Sequence, residues 1–481
     1  MKKLIDNDYV IPKEGDKELK STIGINIHEG WNFPYPKDKS VDFTTNLWDF
    51  GGQEVQYMTH QFFMTPRSLY VLVANDRKQD TEFDYWFRII NLLGREGQSG
   101  CSPVLVVLNQ INYKSGITNF NIGDYQQKYP NMRIELEKVD LSEDDGRFER
   151  VQETAQKMVT SLPHIEDELP KLWITIRKKL VERRKTDNHI NWSQFKEICE
   201  SEGLNEEIDQ KYFSQYLHNL GVIVHYYDDW ILKDFVILNP QWSVDAVYCI
   251  MSDERVIKNN GKFEQGDLAD YWETYTIAER KNLLELMLKD HFEVCYQIPN
   301  TKSYIAPQLL EVATPTYHWN SPTALKFRYQ YPFMPKGLIA RLIVRVNEWI
   351  ASEADSDLVW KKGVVIEKDN CQAQIIQKNT KDNVEVIDIE ISGENRNQKF
   401  VLKMVCDEIE RIHKKSFEHI PHSKMIPCIC STCKASENPH FYKYETLLKY
   451  EQKGKVKATC DISIDDISEA FHIYKNAGFH L

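Results

Sequence analysis

The stretch Trp48-Asp49-Phe50-Gly51-Gly52-Gln53-Glu54 sets a carboxylate, two glycines and a carboxamide in a row, directly after the strand-like segment FTTNLW (43–48). An acidic residue followed by glycines at a strand's C-terminal end suits a phosphate and metal site. Glycine lets a backbone amide approach a terminal phosphate, and the carboxylate can hold Mg²⁺ directly or through water. Gln53 stands where a side chain can orient an attacking water. A tight strand-to-helix turn without ligand fits the same letters, because D-x-x-G-Q alone is only moderately specific.

Two further pieces occur in the right order. Upstream, Ser21-Thr22-Ile23-Gly24-Ile25 lies in a polar loop and matches a switch segment whose threonine hydroxyl reaches Mg²⁺ when a γ-phosphate is present. Downstream, the apolar run PVLVVL ends in Asn109-Gln110-Ile111-Asn112, where a nucleotide fold places the loop that reads the base. A second chemistry sits near the C-terminus. Cys428, Cys430 and Cys433 form a tight knuckle in PCICSTC, and Cys460 follows after 26 intervening residues. Such a set can close a tetrahedral Cys₄ zinc site with no open coordination position, which makes the zinc structural. Buried or surface thiols are the alternative, and His422 or His440 could replace one ligand. The other six cysteines (Cys101, Cys199, Cys249, Cys295, Cys371 and Cys406) are expected in the core.

The elements that would position these residues can be read from the pattern. Residues 43–48 and 68–75 (SLYVLVAN) read as strands, and 103–109 (PVLVVLN) is a short apolar run of the kind buried on both faces. Between them, 80–95 carries Phe83, Trp86, Phe87, Ile90 and Leu93 at helical spacing. Strand, helix, strand implies a parallel sheet in an α/β layer. A helix at about 149–161 precedes SLPHIEDELP, whose prolines and charges mark a boundary near 165. Beyond it, a helix at 171–184, NWSQFKEICESEG, DQKYFSQYLHNLG and the ribbon VIVHYYDDWILKDFVIL describe a winged helix. Its second helix offers little cationic surface beyond Lys211 and His218, and the ribbon carries Asp228 and Asp229, so it is expected to pack on protein rather than DNA. Residues 276–311 read as a second such unit. From about 320, strands such as LKFRYQY, KKGVVIEK, CQAQIIQK and VEVIDIEISG alternate with helices at 336–350 and 398–416, an α+β domain. No internal repeat or low-complexity segment is present.

These strings together resemble the Roco family, in which a Ras-like Roc domain is followed by a COR domain. WDFGGQE, HQFFMTPRSLYVLV, LHNLGVIV and VILNPQWSVDAVYCIM carry the resemblance, which covers most of the chain. It implies a guanine-nucleotide switch that hydrolyses GTP to GDP, with COR packing on Roc and forming a homodimer. Matched residue by residue, Thr22 belongs to switch I, and Asp49, Gly52 and Gln53 to switch II. Asn109 belongs to the base-reading motif, with Asn112 at that motif's last position. Thr22 and Asp49 would then hold Mg²⁺, and Gln53 would be catalytic. The expected layout is a Roc domain over 1–165, a helical COR-A region over 166–319, COR-B over 320–425 and a cysteine-containing segment over 426–481.

Two departures shape the expected activity. No G-x-x-x-x-G-K-[ST] occurs in the 481 residues, and MKKLIDNDY resembles the tail of the helix that follows that loop. Whether a gene model is truncated or the loop is lost stays open. The N-K-x-D of the family reads N-Q-I-N here, so Asn112 replaces a carboxylate that accepts from guanine N1–H and the 2-amino group. That exchange costs on the order of 2–4 kcal/mol, roughly 30- to 1,000-fold in affinity. Because positioning phosphates is most of phosphoryl-transfer catalysis, the 481 residues by themselves are expected to be impaired. The other reading is a catalytically inactive scaffold that binds other proteins. The letters Asp49-Phe50-Gly51 also spell a kinase motif, but only 48 residues precede them and no H-R-D exists, so no kinase is expected.

Composition agrees with these classes. The net charge of −12, with both signs interspersed, argues against attachment to nucleic acid by charge. No apolar run approaches the roughly 18 residues of a membrane helix, and the two apolar residues after Lys2-Lys3 cannot form a signal-peptide core. Ten cysteines without such a signal suit reduced thiols or metal ligands, and a cytoplasmic location is expected.

Overall fold

A computed structural model describes residues 2–5, 9, 25–51, 64, 67–75, 82–96, 100–110, 120–141, 146–166, 168–230, 232–288, 292–319, 324–354, 356–417, 420–434, 436, 438–454, 458–463 and 466–467. The chain divides into two compact units, Met1–Cys249 with Ile277–Leu283, and Ile250–Thr276 with Leu284–Leu481.

The first unit opens with a long antiparallel ribbon, β1 (Ile25–Tyr35) and β2 (Asp38–Phe50), in which Asn26 pairs with Asp49 and Ile25 with Phe50. A parallel sheet follows, built from β3 (Tyr70–Asn75), β4 (Val104–Asn109) and β5 (Ile134–Val139) in the order β3-β4-β5. The strand-helix-strand reading is therefore correct, and α1 (Phe83–Leu93) is the crossover. Central strand β4 is apolar throughout because it is covered on both faces, with Val104, Leu105 and Val106 fully buried. After α2 (Ile122–Lys128), helix α3 (Arg147–Val159) lays Val151, Ala155 and Met158 on Leu105, Val107 and Val139. Trp31 and Phe33 of the ribbon join that same core. Among the described residues, ribbon and sheet thus share side-chain packing but no backbone ladder, β3 lies at the sheet's edge, and its Val71 and Val73 are exposed.

In the same unit, α4 (Lys171–Arg183), β6 (His189–Asn191), α5 (Trp192–Ser201) and α6 (Glu207–Asn219) enclose a core of Ile176, Leu180, Phe195, Phe213 and Leu217. A reciprocal capping box between Asn191 and Gln194 starts α5, satisfying two orphan donors. The expected ribbon over 222–238 is reduced: Val224 makes a single bridge to Ile237, and β7 (Phe235–Ile237) pairs instead with β6. Asp229 accepts from Leu232 N–H at 2.7 Å, a local side-chain bond of the kind that competes with strand pairing. Helix α7 (Pro240–Met251) follows.

The second unit holds a three-stranded antiparallel sheet and a seven-stranded one. The small sheet contains β8 (Lys262–Glu264), β9 (Tyr296–Gln297) and β10 (Ser303–Ile305), with α8 (Ile277–Met287) between the first two strands in sequence. The larger comprises β11 (Leu325–Tyr331), β12 (Val359–Trp360), β13 (Gly363–Lys368), β14 (Cys371–Asn379), β15 (Glu385–Gly393), β16 (Ser423–Pro427) and β17 (Phe441–Lys443). Its order is β12-β13-β14-β15-β11-β16-β17. Helices α9 (Leu338–Val346) and α10 (Asn395–Ser416) contribute buried faces. Strand β11 alternates strictly, so Phe327, Tyr329 and Tyr331 point into the core; this aromatic string, which could have served a dimer surface, is interior. Short helices α11 (Ser431–Lys434) and α12 (Tyr444–Gln452) follow, and Ala458–Thr459 pairs antiparallel with Asp466–Ile467 near the C-terminus. No helix among the described residues is long and apolar enough to cross a membrane.

Candidate functional site

The carboxyl ends of β3, β4 and β5 lie side by side: Asn75 pairs with Asn109, and Asn109 with Val139. In open α/β sheets ligands bind at that edge. Asn109 is the last residue of β4, and its carboxamide oxygen accepts Leu141 N–H at 3.0 Å. The side chain thereby fixes the start of the loop after β5. Asp140, fully buried at the same edge, carries no distinctive signal in the sequence, because the strand before it, IELEKV, is itself charged. Phe87 of α1 stacks with Phe120, Tyr125 and Tyr129 around α2, with 4.5 Å between the Phe87 and Tyr125 centroids, and Phe83 meets Phe120 at a tilt at 4.7 Å.

Asp49 is the penultimate residue of β2 and Gly51 follows the strand's end. Thr22, Gly52, Gln53 and Asn112 lie outside the described residues. Of the proposed nucleotide set, the described residues therefore place Asp49 at the end of the ribbon and Asn109 at the end of the central parallel strand. As hard oxygen donors, Asp49 and Thr22 fit Mg²⁺ in chemistry.

The ribbon is tied to α7. Gln241, in the first turn of that helix, accepts Ile27 N–H at 2.9 Å and donates from Nε2 to Ile25 C=O. One carboxamide thus substitutes for a neighbouring strand on the outer edge of β1. Its Nε2 also donates to Asp245 at 2.6 Å, and burial raises the Asp245 carboxyl above its ordinary range. Ile25, Val244 and Tyr248 form a small core with Ile27, Trp48 and Phe50 packed against it. Trp48 also covers Gly221, where a Cβ would meet Trp48 Cζ2 at 3.1 Å. The residues flanking Asp49 are therefore held by the region that follows α3. Sequence reasoning missed this contact.

In the second unit the structure gathers the sulfurs of Cys428, Cys430, Cys433 and Cys460, all within 4.8 Å of one another. His440 meets this group through its backbone N–H, which donates to Cys433 Sγ at 3.4 Å. His422 lies elsewhere, stacked on His413 at 4.2 Å and beside Glu410. Cys249 is a correction to the expectation of a core thiol: it is exposed. On α7 the inward stripe is Val244, Val247, Tyr248 and Met251, and Cys249 falls on the opposite face with Asp245.

A three-stranded parallel sheet, a ribbon ending at Asp49-Phe50, a helical region clasping that ribbon and an antiparallel α+β domain define a multidomain chain. Family models agree: "Ras of Complex, Roc, domain of DAPkinase" matches residues 7–112, "C-terminal of Roc, COR-A domain" matches 170–310, and "C-terminal of Roc, COR-B domain" matches 323–477. The chain belongs to the Roco family. It is 27% identical over 78% of its length to a Roc-COR-CHAT protease from an unknown prokaryotic organism, and 29% identical over 68% to one from Runella zeae. It spans 35% of the length of each of these relatives. The solved Methanosarcina barkeri Roco2 RocCORdC, bound to GDP, is 31% identical, with 62% of this chain and 88% of that one covered and a TM-score of 0.49.

Proposed function

We propose that the chain is a guanine-nucleotide-responsive Roc–COR module in which the state of the Asp49 strand is passed to COR-A through Gln241, Trp48 and Gly221. The observation that carries this reading is the clasp on the ribbon: Ile25 and Ile27 on one strand, and Trp48 and Phe50 on the other, are held from α7 and the turn at Gly221. In this reading Thr22 and Asp49 hold Mg²⁺, Gln53 orients water, and Asn109 and Asn112 face guanine. With bound nucleotide the Mg²⁺ would neutralise phosphate charge. A displacement of the Asp49–Phe50 strand end would be felt by Trp48 and Phe50, which pack on the Ile25, Val244 and Tyr248 core. Residues 1–165, 166–319, 320–425 and 426–481 form the Roc, COR-A, COR-B and cysteine segments of this proposal. The α4–α6 region with β6 and β7 serves as a winged-helix unit that packs on protein, and COR pairs two copies.

Asn112 predicts weak guanine recognition by this module. The test is titration of the 481-residue protein and of Asn112→Asp with fluorescent guanine and adenine nucleotides in Mg²⁺. Restoring the carboxylate is expected to tighten guanine nucleotide by about 30-fold or more and leave adenine nucleotide unchanged. Equal effects on both nucleotides, or no binding by either protein at millimolar concentration, would favour the inactive interaction scaffold instead.

A further inference from the structure

We propose that Cys428, Cys430, Cys433 and Cys460 hold one structural Zn²⁺ that fastens β17 and α12 to the large sheet of the second unit. Cys433 Sγ lies 3.5 Å and Cys430 Sγ 3.9 Å from Cys460 Sγ. Four thiolates on a tetrahedral zinc with Zn–S of about 2.3 Å stand about 3.8 Å apart, and these separations bracket that edge. They are far beyond the roughly 2.05 Å of a disulfide, and all four cysteines are free thiols.

Close packing of thiols would by itself give similar distances, but the polar surroundings add a second observation. Cys430 N–H donates to Cys428 Sγ at 3.5 Å, Cys433 N–H to Cys430 Sγ at 3.3 Å, and His440 N–H to Cys433 Sγ at 3.4 Å. The Ser463 hydroxyl adds a fourth donor to Cys430 Sγ at 3.3 Å. Converging donors are what sulfur needs when it carries thiolate charge around a metal. Cys428, Cys433 and Cys460 are buried and Cys430 is half-buried, so the donors to Cys428 and Cys433 act away from water.

The local structure also has a use for a staple. Strand β17 is a three-residue edge strand, and α12 buries only Tyr444 and Leu447. That little apolar surface does not offset the entropy of ordering the segment between Cys433 and Cys460. A metal joining the knuckle at the end of β16 to Cys460 closes the loop. With four thiolates the ion has no open position and no catalytic role. Among the described residues, the other group with ligand chemistry, Glu410, His413 and His422, is less suited to a cation. The Lys424 ammonium already sits 2.9 Å from Glu410, and the Tyr331 hydroxyl hydrogen-bonds His413 Nε2.

The experiment is metal analysis of the full chain expressed with zinc and purified without chelator, beside Cys433→Ser, Cys430→Ser and Cys371→Ser. About one zinc per chain is expected in the parent protein and in Cys371→Ser, and at least a tenfold loss in the other two. Because a knuckle variant can misfold, Co²⁺ is also added to the chelator-stripped parent. Thiolate-to-cobalt charge-transfer absorption of a tetrahedral site, reversed by one equivalent of Zn²⁺, is the expected result. Absence of both zinc and that absorption, full zinc content in Cys433→Ser, or a Cys433–Cys460 disulfide in the native protein would each overturn the proposal.

Discussion

Gln241 and Ile27 stand 214 residues apart in sequence, yet the carboxamide oxygen of one accepts the backbone N–H of the other at 2.9 Å. The same side chain donates to Ile25 C=O, so a helix side chain completes two backbone groups of a strand that, among the described residues, has no ladder partner on that edge. Replacing Gln241 with Ala removes both bonds and is expected to cost about 1–3 kcal/mol. Hydrogen exchange reads the change locally: the Ile27 amide should lose protection while amides of β11 in the second unit keep theirs. Unchanged exchange at Ile27 would mean that the clasp contributes nothing.

Gly221 tests the same contact from the other side. Its φ of +64° is left-handed, and an added Cβ would press on the Trp48 indole. Gly221→Ala is expected to lose about 1–2 kcal/mol from backbone conformation alone. Trp48→Leu leaves that backbone term but relieves the crowding, so a double-mutant cycle in urea should give a nonzero coupling energy. Strict additivity would show that Trp48 and Gly221 do not act on each other.

What could be read from sequence follows the range of each signal. The parallel sheet was legible because Val104–Leu108 is apolar at every position, the mark of a strand covered on both faces. The grouping of Cys428, Cys430 and Cys433 was legible because they are neighbours in the chain, and Cys460 stood out as the next cysteine. Gln241 was not legible: a glutamine in a first helical turn looks like solvent-facing polarity, and its partners come from the far end of the unit. Gly221 reads as the residue that ends α6, as its left-handed φ confirms, and only the position of Trp48 reveals its second constraint. The strand pairing of β6 with β7 was missed because a three-residue strand carries no period.

A buried ionic group in the second unit also escaped. Arg341 and Arg345, at i and i+4 in the otherwise apolar helix α9, converge on Glu293, whose side chain is fully buried, and Arg345 also pairs with Glu408 of α10. Arg345 Nη1 donates to Glu408 at 3.1 Å, Arg341 Nη1 donates to Glu293 at 3.5 Å and to Ser416 at 2.7 Å, and Lys415 lies 3.6 Å from Glu293. Glu293→Gln preserves shape but leaves the buried guanidiniums without their shared counter-charge. The expected loss is about 3–5 kcal/mol in chemical denaturation, with poor soluble yield. A loss below about 1 kcal/mol would show that water or neighbouring carboxylates replace Glu293.

Pairing through COR is testable without nucleotide. With Phe327, Tyr329 and Tyr331 interior, a dimer must use other surface, and the exposed Val71 and Val73 of β3 offer a route to nonspecific association. Sedimentation of the full chain at tens of micromolar should give a single dimeric species whose mass is unchanged by replacing Val73 with Lys. A monomer would refute the pairing. A polydisperse sample cleared by Val73→Lys would assign association to the sheet edge.

His218 makes the first unit sensitive to acid. Burial, with the adjacent His225 as the lesser cause, pushes the His218 imidazole down to about 4, and its Nδ1 accepts His225 N–H at 3.1 Å. Its ring meets Tyr226 edge-on at 5.5 Å. His225 is likewise lowered by burial, opposed first by the hydrogen bond of its Nε2 to Lys233 C=O and then by Asp234, and Ser214 is hydrogen-bonded to its Nδ1. Unfolded histidine protonates near 6.5, so the unfolded chain takes up the proton first. The stability contributed by neutral His218 is therefore complete above about pH 6.5 and is lost as pH falls toward 4, amounting to about 2–3 kcal/mol. His218→Asn keeps a hydrogen-bond acceptor but cannot titrate. Urea unfolding of both proteins at several pH values should show the parent losing more stability than the variant across that window. Parallel pH profiles would place the acid sensitivity in other groups.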